Sequence, residues 1–548
     1  MSTHKTEPLM ADGVNASADA GKRSFNGAAP SLPPESGAPR VARLARNAIA
    51  NLLRLGASWL VILLVPPVLV RSLTHSEYAT WMLVLQIAAY STLFDSALQM
   101  SVSRFVARAF WASDWDLLGE TISSITLLFT FASAVVLAGI VILALVMGHF
   151  FHSIPPALLY QAKWCLVIVG GALALVFPAS ALAGLSLGIE KNHVNAIAGS
   201  ASKLIGAAGT VWAALHHEGL VRMALWTSLG IFVQPAIFFL ATIRQDLWSF
   251  FSPRLIRMAR ALEFSRFCSA ALVAQISGLF IAGLDLPIVA AWDFSNAGYY
   301  AIAIIVSNML TVPYGAVLST LVPIISSRSA EESPESMGRV TLRTTRLSTG
   351  LLLWIAIPLM IGMPLLLRLW VGKEYALNTL LLGEVLLGAN LVRLTLMPYS
   401  TVGFSAGEQN KMLVSPGVEG AVNVAFSLLL VRSMGATGVA VGTLIGSFFG
   451  VGLHFWNSMA YTRSMSFKKT DLLLQGILQP LAWSLPVAIV CAILFPLAGS
   501  IGIKLLVLAA AVAALAFVFW KAVLKPEDRT MFRLASGHLL PFSPRAEG

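Results

Sequence analysis

The sequence predicts an all-α polytopic membrane protein with about fourteen transmembrane helices. The 548 residues are 57% hydrophobic and only 11% charged, and the mean hydropathy is +0.78. Many intervals without Asp, Glu, Lys or Arg exceed the roughly 20 apolar residues that a membrane-spanning helix needs. There are also no runs of strict apolar/polar alternation, so the spans are expected to be helices rather than the strands of a barrel.

The fourteen predicted spans follow from the uncharged intervals taken in order. They are 47–70, 79–100, 121–148, 163–188, 194–215, 220–242, 267–291, 297–325, 346–368, 377–403, 412–431, 437–460, 473–496 and 502–520. The first is the least typical, because Arg54 lies inside it.

The composition also excludes several classes of protein. A soluble domain has about 25% charged residues, so the low charge content excludes a soluble enzyme and a disordered protein. It excludes a nucleic-acid-binding protein as well, despite the net charge of +11. The three cysteines, Cys165, Cys268 and Cys491, lie in apolar runs and predict neither a disulfide framework nor a metal site. No cofactor is expected.

Lysine and arginine are distributed unevenly between alternate loops. With Arg54 and the residues near span ends counted with the adjacent loops, the side that holds both termini carries 28 of the 37, the other side carries seven, and Lys203 and Arg393 lie within spans. Cytoplasmic loops of membrane proteins collect these residues. Both termini are therefore predicted to be cytoplasmic.

Several short motifs recur at one common offset along the chain and predict an internal repeat. The segment 184–188 matches 403–407, with Gly, Ser and Gly at the same spacing, and Gly219 matches Gly438 at the same offset. Two parallel six-helix lobes are predicted, with the substrate path between them. The predicted units are a disordered cytoplasmic tail (1–40), an N-lobe (41–242), a basic amphipathic linker (243–266), a C-lobe (267–460), two additional helices (461–523) and a cytoplasmic tail (524–548).

Three local motifs have both a functional and a plain structural interpretation. The spacing of the basic residues in 254–260 predicts an amphipathic helix that lies on anionic lipids. The alternative interpretation is an ordinary basic loop. The basic residues are Arg254, Arg257 and Arg260. The two G-x-S-x-G segments match the nucleophile-elbow pattern, but at the ends of membrane helices they indicate close packing and a turn. The pair His216-His217 is interpreted as a solvated turn rather than a metal or proton site.

Charged residues inside the spans are the candidate functional groups, because a charge facing lipid costs about 2.5–3.5 kcal/mol. A cation in the interior suits an anionic cargo, so Lys203, Arg393 and Arg54 are the candidate substrate-binding residues. For each carboxylate, structural pairing is the alternative to function. Glu384 and Arg393 are predicted on opposite helix faces. The candidate carboxylates are Asp95, Asp285, Glu384 and Glu419.

Aromatic residues cluster near the starts of several spans. Such rings stack on sugars or, more often, form an interfacial belt. They are Tyr78, Trp81, Tyr299, Tyr300 and Tyr314.

Several motifs, in order, carry a resemblance to a known family. They are 76–81 (SEYATW), 94–97 (FDSA), 103–108 (SRFVAR), Asp285, 298–303 (GYYAIA), Pro313, Pro323, 369–376 (LWVGKEYA), 406–411 (AGEQNK) and 435–440 (GATGVA). Over residues 45–520 the chain resembles the Wzx-type oligosaccharide-lipid flippases of the multidrug/oligosaccharidyl-lipid/polysaccharide exporter superfamily. It departs from the family pattern at Ala79 and at Ser96-Ala97, where glycines are usual.

The resemblance implies twelve core helices around a central cavity that opens alternately to each side of a bacterial inner membrane. It implies a cargo of undecaprenyl-diphosphate-linked oligosaccharide, moved to the periplasm for O-antigen, capsule or exopolysaccharide assembly, with polysaccharide polymerase machinery as a partner. A gradient of H⁺ or Na⁺ is a candidate driving force, with the four carboxylates as candidate coupling groups.

Three other functions stay open at this point. A multidrug antiporter of the same superfamily prefers an anionic cavity, and the interior cations argue against it. A peptidoglycan lipid-precursor flippase is closer. A membrane polymerase or ligase needs a sizeable periplasmic loop, and the longest one expected is about 149–162.

Overall fold

The computed structural model describes residues 40–92, 95–244, 247–329 and 332–530, and within those residues it contains helices and no strands. The predicted N-terminal tail over 1–40 lies outside these ranges except for Arg40. Residues 531–548 of the predicted C-terminal tail also lie outside them. The helices are α1 (Arg40–Ser72), α2 (His75–Ala89), α3 (Asp95–Trp111), α4 (Trp115–Phe150), α5 (Pro156–Leu175), α6 (Ser180–Gly188), α7 (Asn192–Leu215), α8 (Leu220–Ile243), α9 (Met258–Gly278), α10 (Asp285–Trp292), α11 (Phe294–Ser319), α12 (Val322–Ser329), α13 (Pro334–Trp370), α14 (Lys373–Leu394), α15 (Met397–Ser405), α16 (Gln409–Leu453), α17 (Met459–Tyr461), α18 (Lys469–Asp471), α19 (Gln479–Leu497) and α20 (Ile501–Val518).

Eleven helical segments of the described chain are long and apolar enough to cross a membrane, so the protein is a multi-pass membrane protein. Within the described residues, each of the fourteen predicted spans lies mainly in helix. The counts differ for physical reasons. Two predicted spans are absent from the eleven segments. One is 194–215, which lies in α7, a helix of 24 residues that is rich in Gly, Ala and Ser. The other is 79–100, which is divided between α2 and α3. The third difference is α16, which comprises two of the predicted spans.

The 45-residue α16 is a helical hairpin whose turn lies at Gly435. This glycine has φ 56° and ψ −140°, outside the helical region. A side chain there would collide with the Asp293 carboxylate, which accepts a hydrogen bond from the Ala436 N–H at 2.8 Å. A Cβ on Gly446 would lie 3.0 Å from the Cβ of Asn423, so the two arms are in close antiparallel contact. The predicted break between 431 and 437 is therefore confirmed.

The helix boundaries repeat at nearly the offset of the sequence motifs. The α2 helix begins at His75 and α11 at Phe294, and this spacing equals the spacing between the two G-x-S-x-G segments. The same spacing separates the starts of α4 at Trp115 and α13 at Pro334. The α6 and α15 helices begin slightly closer together. The repeat therefore extends from the motifs to the helices that carry them.

The basic segment after α8 does not form the predicted interfacial helix. Pro253–Leu255 is a single 3₁₀ turn, Arg257 has extended backbone angles, and α9 begins only at Met258. Arg257 Nε contacts Glu120 Oε1 at 3.0 Å, and Leu255 is buried. Proline and these contacts with α4 hold the segment against the helix bundle, so the alternative of a basic loop is correct up to Arg257.

The aromatic residues at the helix starts lie in the protein core, so the interfacial-belt interpretation is wrong for most of them. Tyr78, Trp81, Tyr300 and Tyr314 are at most 1% exposed. Tyr78 and Trp81 lie on α2, which packs against α5 and α11. Because α2 is enclosed by other helices, its aromatic side chains contact protein rather than the membrane surface.

Glycine contacts set the distance between α7 and α8. A Cβ on Gly230 would lie 2.6 Å from the backbone N of Gly206, and a Cβ on Gly209 would lie 2.6 Å from the ring of Trp226. Small residues of this kind let membrane helices approach closely. This contact also fixes α7, the helix that carries Lys203.

Replacing Gly230 with leucine should separate α7 from α8. Overpacking a tight contact costs about 1–3 kcal/mol, so Gly230→Leu should lower the thermal unfolding temperature of the purified protein. Gly139→Leu is the matched control, because nothing lies within 4 Å of a Cβ at Gly139. Equal unfolding temperatures for the two variants would contradict this packing.

Candidate functional site

The predicted intramembrane charges occupy three different environments. Arg393 and Glu419 form an ion pair, and Asp285 is enclosed by neutral hydrogen-bond donors. Lys203 lies beside Arg54. The charges that were grouped together by sequence therefore divide into two regions, because Arg393 interacts electrostatically with both Glu419 and Asp285, and Lys203 interacts with Arg54.

Of the two remaining carboxylates of the predicted set, only the side chain of Glu384 is described. Glu384 is half-buried and forms no ion pair with any described residue. Asp95 begins α3, but its side chain lies outside the described part of the structure. Glu384 is therefore not joined to the predicted cations by an ion pair within the described residues.

The Arg393–Glu419 ion pair joins α14 to the first arm of α16. Arg393 Nε contacts Glu419 Oε1, and Arg393 Nη1 donates to Asn390 Oδ1 at 3.0 Å. Gly450 makes room for the carboxylate, because a Cβ there would lie 2.6 Å from Glu419 Oε2. Arg393 Nη2 is buried and has no hydrogen-bond partner. The pair is thus neutral as a whole, with one guanidinium N–H group left over.

Asp285 lies at the start of α10, directly after a π-helical break over Leu279–Gly283. It is 3% exposed. One carboxylate oxygen accepts from Asn423 Nδ2 at 3.1 Å, and the other accepts from the hydroxyls of Thr443 at 3.0 Å and Tyr300 at 3.3 Å. Neutral donors from both arms of α16 and from α11 therefore surround a single carboxylate.

The carbonyl groups exposed by the π-helical break are bonded to side chains. Asn423 Nδ2 donates to the Ile281 carbonyl at 2.7 Å, and Gln86 Nε2 donates to the Gly283 carbonyl at 3.2 Å. Tyr90 also donates to Gly283. Unbonded carbonyls are costly in a membrane, so these contacts make the broken helix possible and link α2 to the Asp285 region.

Lys203 and Arg54 form the second cationic region, on α7 and α1. Lys203 Nζ donates to Ser58 Oγ at 2.8 Å, and Ser58 Oγ in turn donates to the Arg54 carbonyl at 3.0 Å. Lys203 and Arg54 interact electrostatically as like charges. Within the described chain neither forms an ion pair, so this positive charge is not neutralised by the described residues.

Lys203 borders a largely apolar groove of about 1060 Å³. The groove lies between α1, α2, α7, α8 and α11. Its walls include Val61, Val65, Trp81, Leu85, Ala207 and Ile305. We call this cavity the apolar groove. Arg393 does not line it, so the structure places the predicted cations in two separate regions.

Several hydrogen bonds join the two halves of the chain near the starts of α2, α11 and α14. His75 Nδ1 lies 3.0 Å from the Tyr375 hydroxyl, and His75 Nε2 lies 2.7 Å from the Ser295 carbonyl. Trp370 Nε1 donates to the Leu63 carbonyl at 2.6 Å, and Arg71 donates to the Trp370 carbonyl at 3.3 Å. These bonds join α1 and α2 to α11, α13 and α14.

The motifs interpreted as structural have structural contacts. Gly188 ends α6 beside Val106, and Gly407 lies in the turn after α15 with φ 83°. His216 and His217 are exposed in the turn after α7. Among the described residues no group of three His, Cys, Asp or Glu side chains is placed to hold a metal ion.

Sequence reasoning missed the neutral members of these sites. Asn423 and Thr443 were not identified as partners of Asp285, nor Ser58 as the partner of Lys203. Asn423 is a polar residue within a predicted apolar span, which is a detectable signal. Thr443 and Ser58 carry no such signal, because hydroxyl side chains are common in membrane helices.

Comparison with solved structures places this helix arrangement among known transporters. The lipid II flippase MurJ, in an inward closed conformation, matches with a TM-score of 0.62 and 14% identity, over 88% of this chain and 100% of that one. A multidrug resistance MATE family transporter of the MOP superfamily, in an inward-facing conformation, matches with a TM-score of 0.60 and 13% identity. The match covers 75% of this chain and 97% of that one. The chain has the fold of these transporters.

A third structure is a MOP superfamily transporter from Pyrococcus furiosus whose binding pocket is described as having reverse polarity. It matches with a TM-score of 0.53 and 15% identity, over 76% of this chain and 95% of that one. No family model matches the sequence. No curated protein matches it either.

Removing either member of the buried ion pair should destabilise the protein. A buried charge left without its partner costs about 3–5 kcal/mol, whereas replacing both partners with apolar residues is often nearly neutral. Arg393→Leu and Glu419→Leu should each lower the unfolding temperature more than the double variant does. If the double variant is as unstable as the two single effects added together, the two residues do not act as a pair.

Proposed function

We propose that the protein is a flippase that moves undecaprenyl-diphosphate-linked oligosaccharide repeat units across the bacterial inner membrane by alternating access. The observation that carries the proposal is Lys203, which lines the apolar groove, forms no ion pair with a described residue and interacts with the like charge of Arg54, an exposed residue of α1. A cation without a counter-ion at that position favours an anionic headgroup, and apolar walls favour a lipid chain. A lipid-linked diphosphate has both parts.

The energetic problem that such a flippase solves is the dehydration of the diphosphate. The idealised cost of moving one ion from water into a low-dielectric medium is of order 20 kcal/mol. Lys203 and Arg54 would offset part of this cost by replacing water around the phosphates. Arg393 is a further substrate-binding candidate through its unpaired Nη2, although Glu419 already neutralises most of its charge.

Asp285 is the coupling carboxylate that we propose. It is buried without a cationic hydrogen-bond partner, and its carboxylate accepts only from neutral groups. Such a carboxylate gains most from binding H⁺ or Na⁺ as its counter-charge. Glu419 is a weaker candidate because Arg393 is its partner. Asp95 and Glu384 are the other two candidates.

A peptidoglycan lipid-precursor flippase is the second candidate function. The lipid II flippase MurJ shares the fold over 88% of this chain, and its cargo is also a lipid. A cation-coupled multidrug antiporter receives support from the MATE match. However, a cationic drug would be repelled by Lys203 and Arg54. A polymerase or ligase is the least supported, because only residues 151–155 separate α4 from α5 where the longest periplasmic loop was expected.

The proposed orientation in the membrane rests on the asymmetry of Lys and Arg, from which we infer cytoplasmic termini. The bonds around His75 then lie at the periplasmic end. Anionic lipids are proposed to contact the basic cytoplasmic segment near Arg254, and polysaccharide polymerase machinery is proposed to receive the product.

Loss of Lys203 should impair polymer export. A hydrogen bond to a charged group contributes about 1.5–3 kcal/mol, so Lys203→Ala should reduce export about tenfold or more at an unchanged protein level. Lys203→Arg should retain export, and Arg222→Ala, at an exposed position near the start of α8, is the control. A deletion strain should accumulate lipid-linked repeat units on the cytoplasmic side. Wild-type export by the double variant Lys203→Ala/Arg393→Ala would contradict the cationic site.

Alternating access requires the contacts around His75 to break during each cycle. In a variant without native cysteines, His75→Cys and Tyr375→Cys should allow a short, cleavable thiol crosslinker to join α2 to α14. Crosslinking should abolish export, and cleavage should restore it. Each single cysteine variant treated with the same reagent is the control. Full export by the crosslinked protein would show that this end does not open.

A further inference from the structure

A second cavity lies beside the apolar groove and has a different chemistry. The space accessible inside it is about 180 Å³, below the roughly 300–1,000 Å³ typical of sites for drug-sized ligands, so it is a small pocket. It is enclosed by α3, α5, α6, α7, α8 and the 3₁₀ turns next to them. We call it the polar chamber. Its polar lining residues are Ser91, Gln99, Ser180, Ser202, Lys203 and Gln234.

Two polar groups of the chamber have no protein partner in the described chain. Ser91 Oγ is buried and unbonded, and the whole residue is only 4% exposed. The half-buried Gln234 amide forms no hydrogen bond with a described residue. An unsatisfied buried polar group costs about 1–3 kcal/mol. This cost applies to Ser91, whereas the Gln234 amide is accessible in the chamber, and both groups are free to bond to a hydroxyl-rich ligand.

Lys203 lies where the two cavities meet. Lys203, Ser202 and Ile231 line both the polar chamber and the apolar groove. On one side of the ammonium group, amides and hydroxyls lie among apolar residues such as Phe177 and Phe238, and on the other side the walls are almost entirely aliphatic and aromatic. A molecule with a polar part, an anionic linkage and an apolar part would match this sequence of environments.

We propose that the polar chamber binds the first sugar of the cargo's carbohydrate headgroup, that Lys203 binds the diphosphate, and that the apolar groove holds the first part of the prenyl chain. This inference rests on the proposed function and adds an orientation of the cargo and a set of sugar-selecting residues. Gln234, Ser202 and Ser91 then select the carbohydrate. The prenyl chain lies between α1, α7 and α8, and all three chemical parts contact the N-terminal half of the chain.

The test measures binding of two lipids to the purified full-length protein by native mass spectrometry. The probes are undecaprenyl diphosphate and undecaprenyl diphosphate carrying a disaccharide, which differ only in the sugar. Gln234→Leu should weaken binding of the disaccharide lipid about fivefold or more and leave that of undecaprenyl diphosphate unchanged. Ala207→Trp, which fills the apolar groove, should weaken binding of both lipids equally. Gln479→Leu, at an exposed position at the start of α19, is the control.

The outcomes separate this inference from the function on which it rests. If the wild type binds both diphosphate lipids but Gln234→Leu affects both equally or neither, the assignment of the chamber to the sugar is wrong and the flippase proposal stands. If the wild type binds undecaprenyl diphosphate no better than uncharged undecaprenol, the flippase proposal itself is contradicted. A sugar-dependent loss in Gln234→Leu alone supports the assignment.

Discussion

The cost of an unpaired charge in hydrocarbon is the constraint on which this structure depends. Each interior charge must contact an opposite charge, hydrogen-bond donors or acceptors, or a ligand. Arg393 and Glu419 satisfy the requirement with each other. Asp285 satisfies it with neutral donors. Lys203 donates to the Ser58 hydroxyl, lies near a second cation and is exposed, so no described residue neutralises it and its ammonium group is open to an anionic ligand.

The same constraint explains where the helices are broken. A π-helical segment before α10 exposes backbone carbonyls at membrane depth, and Asn423, Gln86 and Tyr90 bond to them. Asn423 also bonds to Asp285, so one side chain supports both the break and the buried carboxylate. A change in the charge state of Asp285 would therefore act on a segment that contacts α2. This contact offers a physical route from an ion to the helices that border the apolar groove.

The spans were predictable because an apolar run of sufficient length is a local property. The break between the spans that end at 431 and begin at 437 was predictable for the same reason, because it is where one apolar run ends and the next begins. The burial of Trp81 was not, because whether an aromatic ring at a helix start faces the membrane or the core depends on its tertiary neighbours. The basic segment was misjudged because Arg257 pairs with Glu120 on a helix distant in sequence. Likewise, the charges of Arg393 and Lys203 are visible in the sequence, but their partners are not.

The most direct test of the central claim is transbilayer movement in liposomes that contain only the purified protein. The cargo is undecaprenyl diphosphate carrying a disaccharide, and an impermeant glycosidase outside the vesicles reports the fraction that has crossed from the inner leaflet. We expect the wild-type protein to expose the inner-leaflet cargo much faster than it exposes an uncharged prenyl glycoside. Equal rates for the two lipids, or rates no higher than in protein-free liposomes, would contradict an account based on an interior cation that binds a phosphorylated headgroup.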